Sequence, residues 1–535
     1  MEEPEKTFSP FGAWVMRVKE KIEKNAGVLL VLVFLLFWLG VFLAQPVNLV
    51  SIDLGRHIEN GRYFFATYKI PDTNLYSYTY PDIPFINHHW GSGVLFFLIW
   101  KVAGIAGLSF LYIVLSLITF SILFFMTKKF AGLPLAVLAS TLVIPLIGER
   151  TEVRPEVFSY FFAVIFFLLL WRYKKGELKT DWLFLLPIFA LFWVNLHIYF
   201  IFGIGLIGLF LLDTVREKNW KQFKILFLVL VLTIGASLVS PFGIRGLIYP
   251  LNIFRNYGYR VLENQSVSFL TNLGFINNPN LIIVKIVLLV LFLSTVVLFI
   301  TNRKKINWPL LGLSVTVGIL GWSALRNFSL FGYFALPALA YNLKYGFGRK
   351  IDLKDGTVQT LIFALAGLFF FTFSFLSQGK LMQANGNTAQ ADQKAQEASA
   401  VFFRENNLKG PIFNNYDIGS YLIFHLYPQE KVFVDNRPEV YPDTFFQDIY
   451  IPMQDDDAAW QRANEQYDFN VIYFATHDAT NWGQDFLVKR IKDPQWAPVF
   501  ADEYAIIFLK RNEQNEALIS RFEMSQDHFR ITSAP

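Results

Sequence analysis

The stretch Asn48-Leu49-Val50-Ser51-Ile52-Asp53-Leu54-Gly55-Arg56-His57-Ile58-Glu59-Asn60-Gly61-Arg62 follows the first long apolar run of the chain. It is polar, charged and short of strong breakers, and it reads as a helix. Helical spacing puts Asp53 and His57 four residues apart on one face. An ionised acid and a titratable base then stand together at the edge of a bilayer-length segment. The rest of the chain reads as a membrane cavity built around that face.

Downstream lies an aromatic loop, Tyr76-Ser-Tyr-Thr-Tyr-Pro81, that ends in Asn87-His88-His89-Trp90. Residues 92–107 read as an amphipathic helix in the outer interface, ended by glycines. Upstream, the polar lead-in 1–26 is too long for a cleaved signal peptide, and the run 27–44 is expected to stay as an anchor. Further apolar runs fall near 108–126, 132–147, 157–171, 182–195, 198–213, 224–240, 281–300, 308–322, 328–342 and 358–376, for about eleven spans in all. The chain of 535 residues is 54% hydrophobic and only 17% charged, a balance that excludes an ordinary soluble protein. The formal charge of +5 sits in short basic clusters between spans, so nucleic acid is excluded as a partner. The chain has no cysteine, so disulfides and thiolate metal sites are excluded.

Basic residues set the orientation. Alternate segments carry roughly 22 Lys and Arg against about 9 in the others. The N-terminus is therefore expected in the cytoplasm. The first large loop, 45–107, and everything after residue 376 are expected outside, in a multi-pass protein of the cell (inner) membrane. Short outer segments still carry Glu149, Arg150, Arg154, Glu156, His197 and Arg326. Charges gathered at helix ends on one side of a membrane point to a site on that side. Interfacial anchoring and helix capping are the plainer readings of the same charges. The long loop 241–280 reads as a lid or as a connector. Residues 377–395 read as a linker. Residues 396–511 alternate helix and strand, with strands expected at 411–414, 431–435, 470–475, 497–501 and 504–509, as a small outer α/β domain. Residues 512–535 form a polar tail.

The chain resembles the GT-C superfamily, and within it a bacterial GT-C-like membrane family without a settled substrate. The resemblance rests on Asp53-Leu-Gly-Arg-His57 with Gly61, Tyr76-Ser-Tyr-Thr-Tyr-Pro81, His88 with Trp90, Arg154-Pro-Glu-Val-Phe158, Trp193-Val-Asn-Leu-His197, Ser240-Pro-Phe-Gly-Ile-Arg245, Arg326-Asn-Phe-Ser-Leu, Asn414-Asn-Tyr-Asp-Ile-Gly-Ser-Tyr421 and Asp435-Asn-Arg437. No single motif is specific; their order and spacing carry the likeness. It implies a polytopic α-helical membrane protein, GT-C-like over 27–376, with a C-terminal extracytoplasmic α/β domain. It also implies transfer of a sugar from a polyprenyl-phosphate-linked donor to a glycan, lipid or protein acceptor. The Trp-Trp-Asp motif of oligosaccharyltransferases is absent. So is the adjacent Asp-Glu pair of the protein mannosyltransferase-like branch.

In that chemistry Asp53 is the expected general base, with His57 beside it. Desolvation would raise its pKa unless a neighbouring cation offsets it. Arg154, His197 and Arg326 are the expected donor-phosphate binders, because guanidinium groups match phosphate oxygens in a fork. Arg56, His88, Trp90, Glu149 and Arg150 are expected to bind substrate, and Trp90 and Tyr78 are suited to stack on a sugar. Asp53 as an N-cap and His197 as a bonded helix end are the structural alternatives. No cofactor or tightly bound metal is expected, although His88 and His89 with Asp53 leave a divalent ion open. Two other functions fit the same residues. A lipid or polysaccharide transporter would place its charges at mid-membrane, and a non-catalytic assembly protein would keep the shell alone.

Overall fold

The computed structural model describes residues 10–252, 257–274, 278–347, 393–478 and 480–529. The span read at 358–376, nearly all of the linker 377–395 and the end of the tail lie outside the described residues. Among the described residues, thirteen α-helices precede residue 348: α1 (Pro10–Leu43), α2 (Leu54–Thr67), α3 (Trp90–Ala131), α4 (Leu133–Ile147), α5 (Glu156–Lys174), α6 (Leu185–Leu196), α7 (Phe200–Arg216), α8 (Trp220–Ser237), α9 (Gly243–Ile248), α10 (Val267–Asn272), α11 (Asn280–Asn302), α12 (Trp308–Ser323) and α13 (Phe328–Phe347). Four helical stretches among the described residues are long and apolar enough to cross a membrane: Trp90–Ala131, Glu156–Lys174, Trp220–Ser237 and Asn280–Lys305. Others are shorter. α6 has 12 residues because its run opens with a 3-10 turn, Thr180–Phe184.

The expected interfacial helix 92–107 and the span after it are one helical run. It is broken at Gly104, whose φ of 61° and ψ of −159° only glycine adopts without strain. The break falls at the first of the glycines that the sequence marks.

The chain divides into two compact units. The first is drawn from Met1–Ala44, Ser116–Thr151 and Ser266–Ala384. Its centre is α13, buried on every face from Phe328 to Asn342, as a helix that is apolar all round requires. α11 keeps one flank out, with Ile282, Ile286, Leu289, Phe292, Leu293 and Ile300 exposed. An apolar flank of that kind suits a lipid environment.

The second unit is drawn from Gln45–Leu115, Glu152–Gln265 and Asn385–Pro535. It contains α2, α5 to α9 and the α/β segment, so the first loop and the C-terminal segment fold together. The latter runs α14 (Gln393–Glu405), β1 (Ile412–Asn414), α15 (Gly419–Leu426), α16 (Pro452–Asp455), α17 (Asp457–Tyr467), β2 (Val471–Ala475), α18 (Asn481–Ile491), β3 (Trp496–Ala501), β4 (Ala505–Lys510) and α19 (Glu516–Phe522). The sheet order is β1-β2-β4-β3. β1 pairs parallel with β2, and β4 pairs antiparallel with both β2 and β3. β2 is buried at all its positions, which explains its unbroken apolar sequence Val471-Ile-Tyr-Phe-Ala475. Phe413, Trp460, Phe469, Phe474 and Phe486 fill one side.

The strand expected at 431–435 is corrected. Its backbone groups are taken by a side chain instead of a full ladder. Asn414 Oδ1 accepts the Phe433 N–H at 2.9 Å, and Asn414 Nδ2 donates to the Val434 carbonyl at 2.7 Å. On the other side, Val432 makes a single parallel bridge to Ser77. The segment after 431–435 holds a π-helical turn, Phe445–Tyr450.

The aromatic loop is the dock for that bridge. The Val432 N–H donates to the Tyr76 carbonyl at 3.1 Å, and the Tyr78 N–H donates to the Val432 carbonyl at 3.2 Å. Tyr78 Oη donates to the Ile412 carbonyl at 2.9 Å, and Thr79 Oγ1 to the Phe433 carbonyl at 2.6 Å. Tyr78 is therefore a docking residue. The reason is that its hydroxyl finds a buried acceptor at the end of β1.

α2 is held at two close approaches. A Cβ on Gly61 would lie 2.2 Å from the Gly93 carbonyl oxygen of α3. A Cβ on Gly55 would lie 2.8 Å from the Ser420 carbonyl oxygen of α15. Neither backbone has room to give, so both positions need glycine.

Candidate active site

Asp53 occupies the N-cap position of α2, and its side chain caps nothing. The carboxylate instead faces three cationic or basic groups. Arg56 Nη2 and His57 Nε2 each lie 3.5 Å from Oδ2, and Arg154 Nε lies 3.7 Å from Oδ1. Arg56 and His57 arrive through helix pitch. Arg154 arrives from the segment before Pro155, which is the N-cap of α5. Arg154 also meets Glu152 at 2.6 Å and Glu263 at 3.1 Å. One guanidinium thus serves three carboxylates.

Histidines extend the cluster. The His89 ring centroid lies 5.2 Å from that of His57 and 5.1 Å from that of His197. His197 closes α6, and its Nδ1 lies 2.7 Å from Ser159 Oγ on α5. That hydroxyl also accepts the Trp193 indole N–H at 2.7 Å. The His88 ring centroid lies 3.9 Å from that of His89, with the rings tilted at 53°, and His88 Nδ1 lies 3.1 Å from the Ile86 carbonyl. Trp90 donates its indole N–H to Asn195 at 2.8 Å, which fixes the start of α3 to the end of α6.

Burial alone would raise the Asp53 pKa. Arg154 first, then His57 and Arg56, outweigh it and hold the carboxyl well below the usual carboxylate range. The conditional expectation is thus resolved in favour of the cations. Burial, and then Arg56, lowers the His57 pKa, against the pull of Asp53. Burial, followed by His88 and His197, holds His89 well below the ordinary histidine value. The directions favour an ionised Asp53 beside neutral imidazoles at His57 and His89.

Asp53 Oδ1, Arg56 Nε, both ring nitrogens of His57, both side-chain polar atoms of Asn87 and Nε2 of His89 are buried without a hydrogen bond. Such atoms are rare in native folds, and their concentration on two short stretches, 53–57 and 87–89, marks a place that receives a polar ligand or water. Among the described residues, no group of three or more histidines and carboxylates is arranged to hold a metal ion.

Arg326, Glu149 and Arg150 belong to the first unit. Glu149 accepts from Asn278 at 2.7 Å and from Asn280 at 2.5 Å, which ties the end of α4 to the start of α11. Arg150 is buried, and Arg326 is half-buried in the turn that begins α13. Sequence reasoning did not single out Glu263 and Ser159. Glu263 lies 109 residues from Arg154, with no local pattern to flag it. Ser159 lies inside an apolar helix, where a hydroxyl is commonplace.

No known family profile and no curated protein sequence matches the chain. Solved structures do. The archaeal oligosaccharyltransferase AglB from Archaeoglobus fulgidus, in complex with an inhibitory peptide and a dolichol-phosphate, matches with a TM-score of 0.60 and 12% identity over 92% of this chain and 75% of that one. The apo form of the Archaeoglobus fulgidus oligosaccharyltransferase matches with a TM-score of 0.54 and 12% identity, over 84% and 69%. ArnT from Cupriavidus metallidurans in the apo state matches with a TM-score of 0.51 and 13% identity, over 91% and 98%. The chain therefore has the fold of these GT-C glycosyltransferases, helical with a C-terminal sheet-containing segment.

Proposed function

We propose that the chain moves a sugar from a polyprenyl-phosphate-linked donor to a hydroxyl of a glycan, lipid or protein acceptor on the extracytoplasmic face of the cell membrane. The shared fold supports the reaction class. One solved neighbour is complexed with a dolichol-phosphate, which supports the donor class. About eleven spans, a cytoplasmic N-terminus and an outer domain over 396–511 complete the reading.

The observation that carries it is Asp53 at an N-cap position with its carboxylate turned to the side chains of Arg154, Arg56 and His57 rather than to the backbone N–H groups of its helix. In the transfer, a bond forms from the acceptor oxygen to the sugar anomeric carbon as the bond from that carbon to phosphate breaks. Asp53 accepts the hydroxyl proton and passes it to solvent. An acid held so far below the usual range is a weak base. It suits a transition state with strong positive charge on the sugar, where the proton leaves late and a fixed negative charge stabilises the centre. Arg154 and His197 supply donors toward the departing phosphate, whose charge grows during the step.

The test is Asp53→Asn with a polyprenyl-phosphate sugar pool supplied to membranes. Transfer should fall by about 10²–10⁴-fold, the usual contribution of a positioned proton acceptor, with the protein still folded and inserted. Transfer at the wild-type rate would remove Asp53 from the reaction.

A further inference from the structure

A helix leaves its first N–H groups without partners, and an Asp at the N-cap usually turns back to accept one from the second or third residue. Asp53 does not do so. The bond it forgoes is made by another residue. Ser420 Oγ, from α15 of the α/β segment, accepts the Arg56 N–H at 2.9 Å in a buried setting. Arg56 is the third residue of α2, the position that a capping side chain serves. Ser420 is fully buried, and its own carbonyl lies against Gly55 in the same turn. The contact is tight because Gly55 has no Cβ.

We infer that Ser420 is a positioning residue: it caps α2 from another part of the chain, and so releases the Asp53 carboxylate for the cluster of Arg154, Arg56 and His57. A free N-cap aspartate has two competing destinations, its own helix or the cluster. With Ser420 in place the Arg56 N–H, the third-residue donor a capping side chain serves, is taken, and the balance shifts to the cluster. This gives the α/β segment a task in the reaction without touching substrate. The inference rests on the proposed role of Asp53 for its catalytic meaning, but the exchange of caps is a structural matter and is tested without substrate.

The experiment is a double-mutant cycle on thermal unfolding of the full chain in detergent, with Ser420→Ala, Asp53→Ala and the double variant. In Ser420→Ala, Asp53 is free to take over the cap and the loss of Tm is small. In the Asp53→Ala background nothing replaces Ser420. There the same change should cost more, by on the order of 2 °C for one cap. Equal losses in both backgrounds overturn the inference. The second arm measures transfer. Ser420→Ala should lower kcat by about 10²-fold, the scale of a small displacement of a reacting group, with donor KM unchanged. A coupled Tm cycle with no transfer by the unaltered chain would sink the glycosyltransferase reading and leave the cap exchange standing. Undiminished kcat in Ser420→Ala, in a chain that does transfer, would overturn the positioning role.

Discussion

Two buried sets of guanidinium and carboxylate groups lie in the same compact unit, and they are built differently. Arg437 meets Asp435 in a fork, Nε to Oδ1 at 2.8 Å and Nη2 to Oδ2 at 2.6 Å, and Nη2 also reaches Asn74 Oδ1 at 2.9 Å. Its guanidinium carbon lies 4.8 Å from the Phe85 ring centroid and 5.5 Å from that of Tyr76. Burial would lower the Arg437 pKa, and the Asp435 carboxylate raises it by more. Around Asp53, by contrast, the contacts are 3.5–3.7 Å, and several buried polar atoms have no hydrogen bond. A closed fork holds a fold together. A loose, over-subscribed cluster keeps hydrogen-bonding capacity in reserve for something that arrives.

The widest separation between the two sets is expected from cutting each one's arginine. Arg437→Met strands Asp435 in a dry site and should cost about 3–5 kcal/mol of stability. Arg154→Met leaves Asp53, itself part-exposed, still facing Arg56 and His57, and should cost less, about 1–2 kcal/mol. Thermal or denaturant unfolding in detergent measures both, and similar losses would erase the contrast.

A smaller effect concerns Glu59, on α2 between the two sets. Burial outweighs the nearby Arg62 and raises its pKa to about 7. A carboxyl with a raised folded pKa binds its proton more tightly in the native state. Stability from this group is therefore full below the unfolded value near 4.5 and is lost as pH rises to about 7. Glu59→Gln should remove roughly 3 kcal/mol of that pH dependence. A stability profile between pH 4.5 and 7 that is the same in both proteins would show that the α2 face is wetter than the Arg437 pocket. Asp53 works in the opposite sense. Its folded pKa is depressed, so its contribution is present above the unfolded value near 3.9 and is lost only as pH falls through the lower folded value.

The smallest expected effect is at the dock itself. Tyr78→Phe deletes one buried hydrogen bond to the Ile412 carbonyl and should cost about 1 kcal/mol. A sugar-stacking role would show up differently, as a raised donor or acceptor KM with unchanged stability.

Much of the local structure was legible. Apolar runs marked the helices because a buried or lipid-facing helix must be apolar along its length. The Gly-rich end of 92–107 marked the break at Gly104. The short apolar run Val432-Phe-Val434, β-branched and aromatic, reads as a strand, but whether a strand becomes a ladder depends on its neighbours. Here Asn414 and Tyr76–Tyr78 took the backbone groups first. Tyr78 looked like a platform for sugar because an aromatic near a bilayer edge has many uses, and only the acceptor across from its hydroxyl chose among them.

What the residues alone determined is whatever lies within a few positions along the chain. The helix after the first anchor, the shared face of Asp53 and His57, and the proximity of Arg56 all follow from a pitch of about 3.6 residues per turn. The tertiary structure decided what lies across long loops: that Arg154 and Glu263 meet, that His89 stands between His57 and His197, and that Ser420 caps the helix in place of Asp53. Such contacts join residues separated by up to 364 positions. Their closure depends on the packing of the whole unit, to which no short stretch of sequence holds the key.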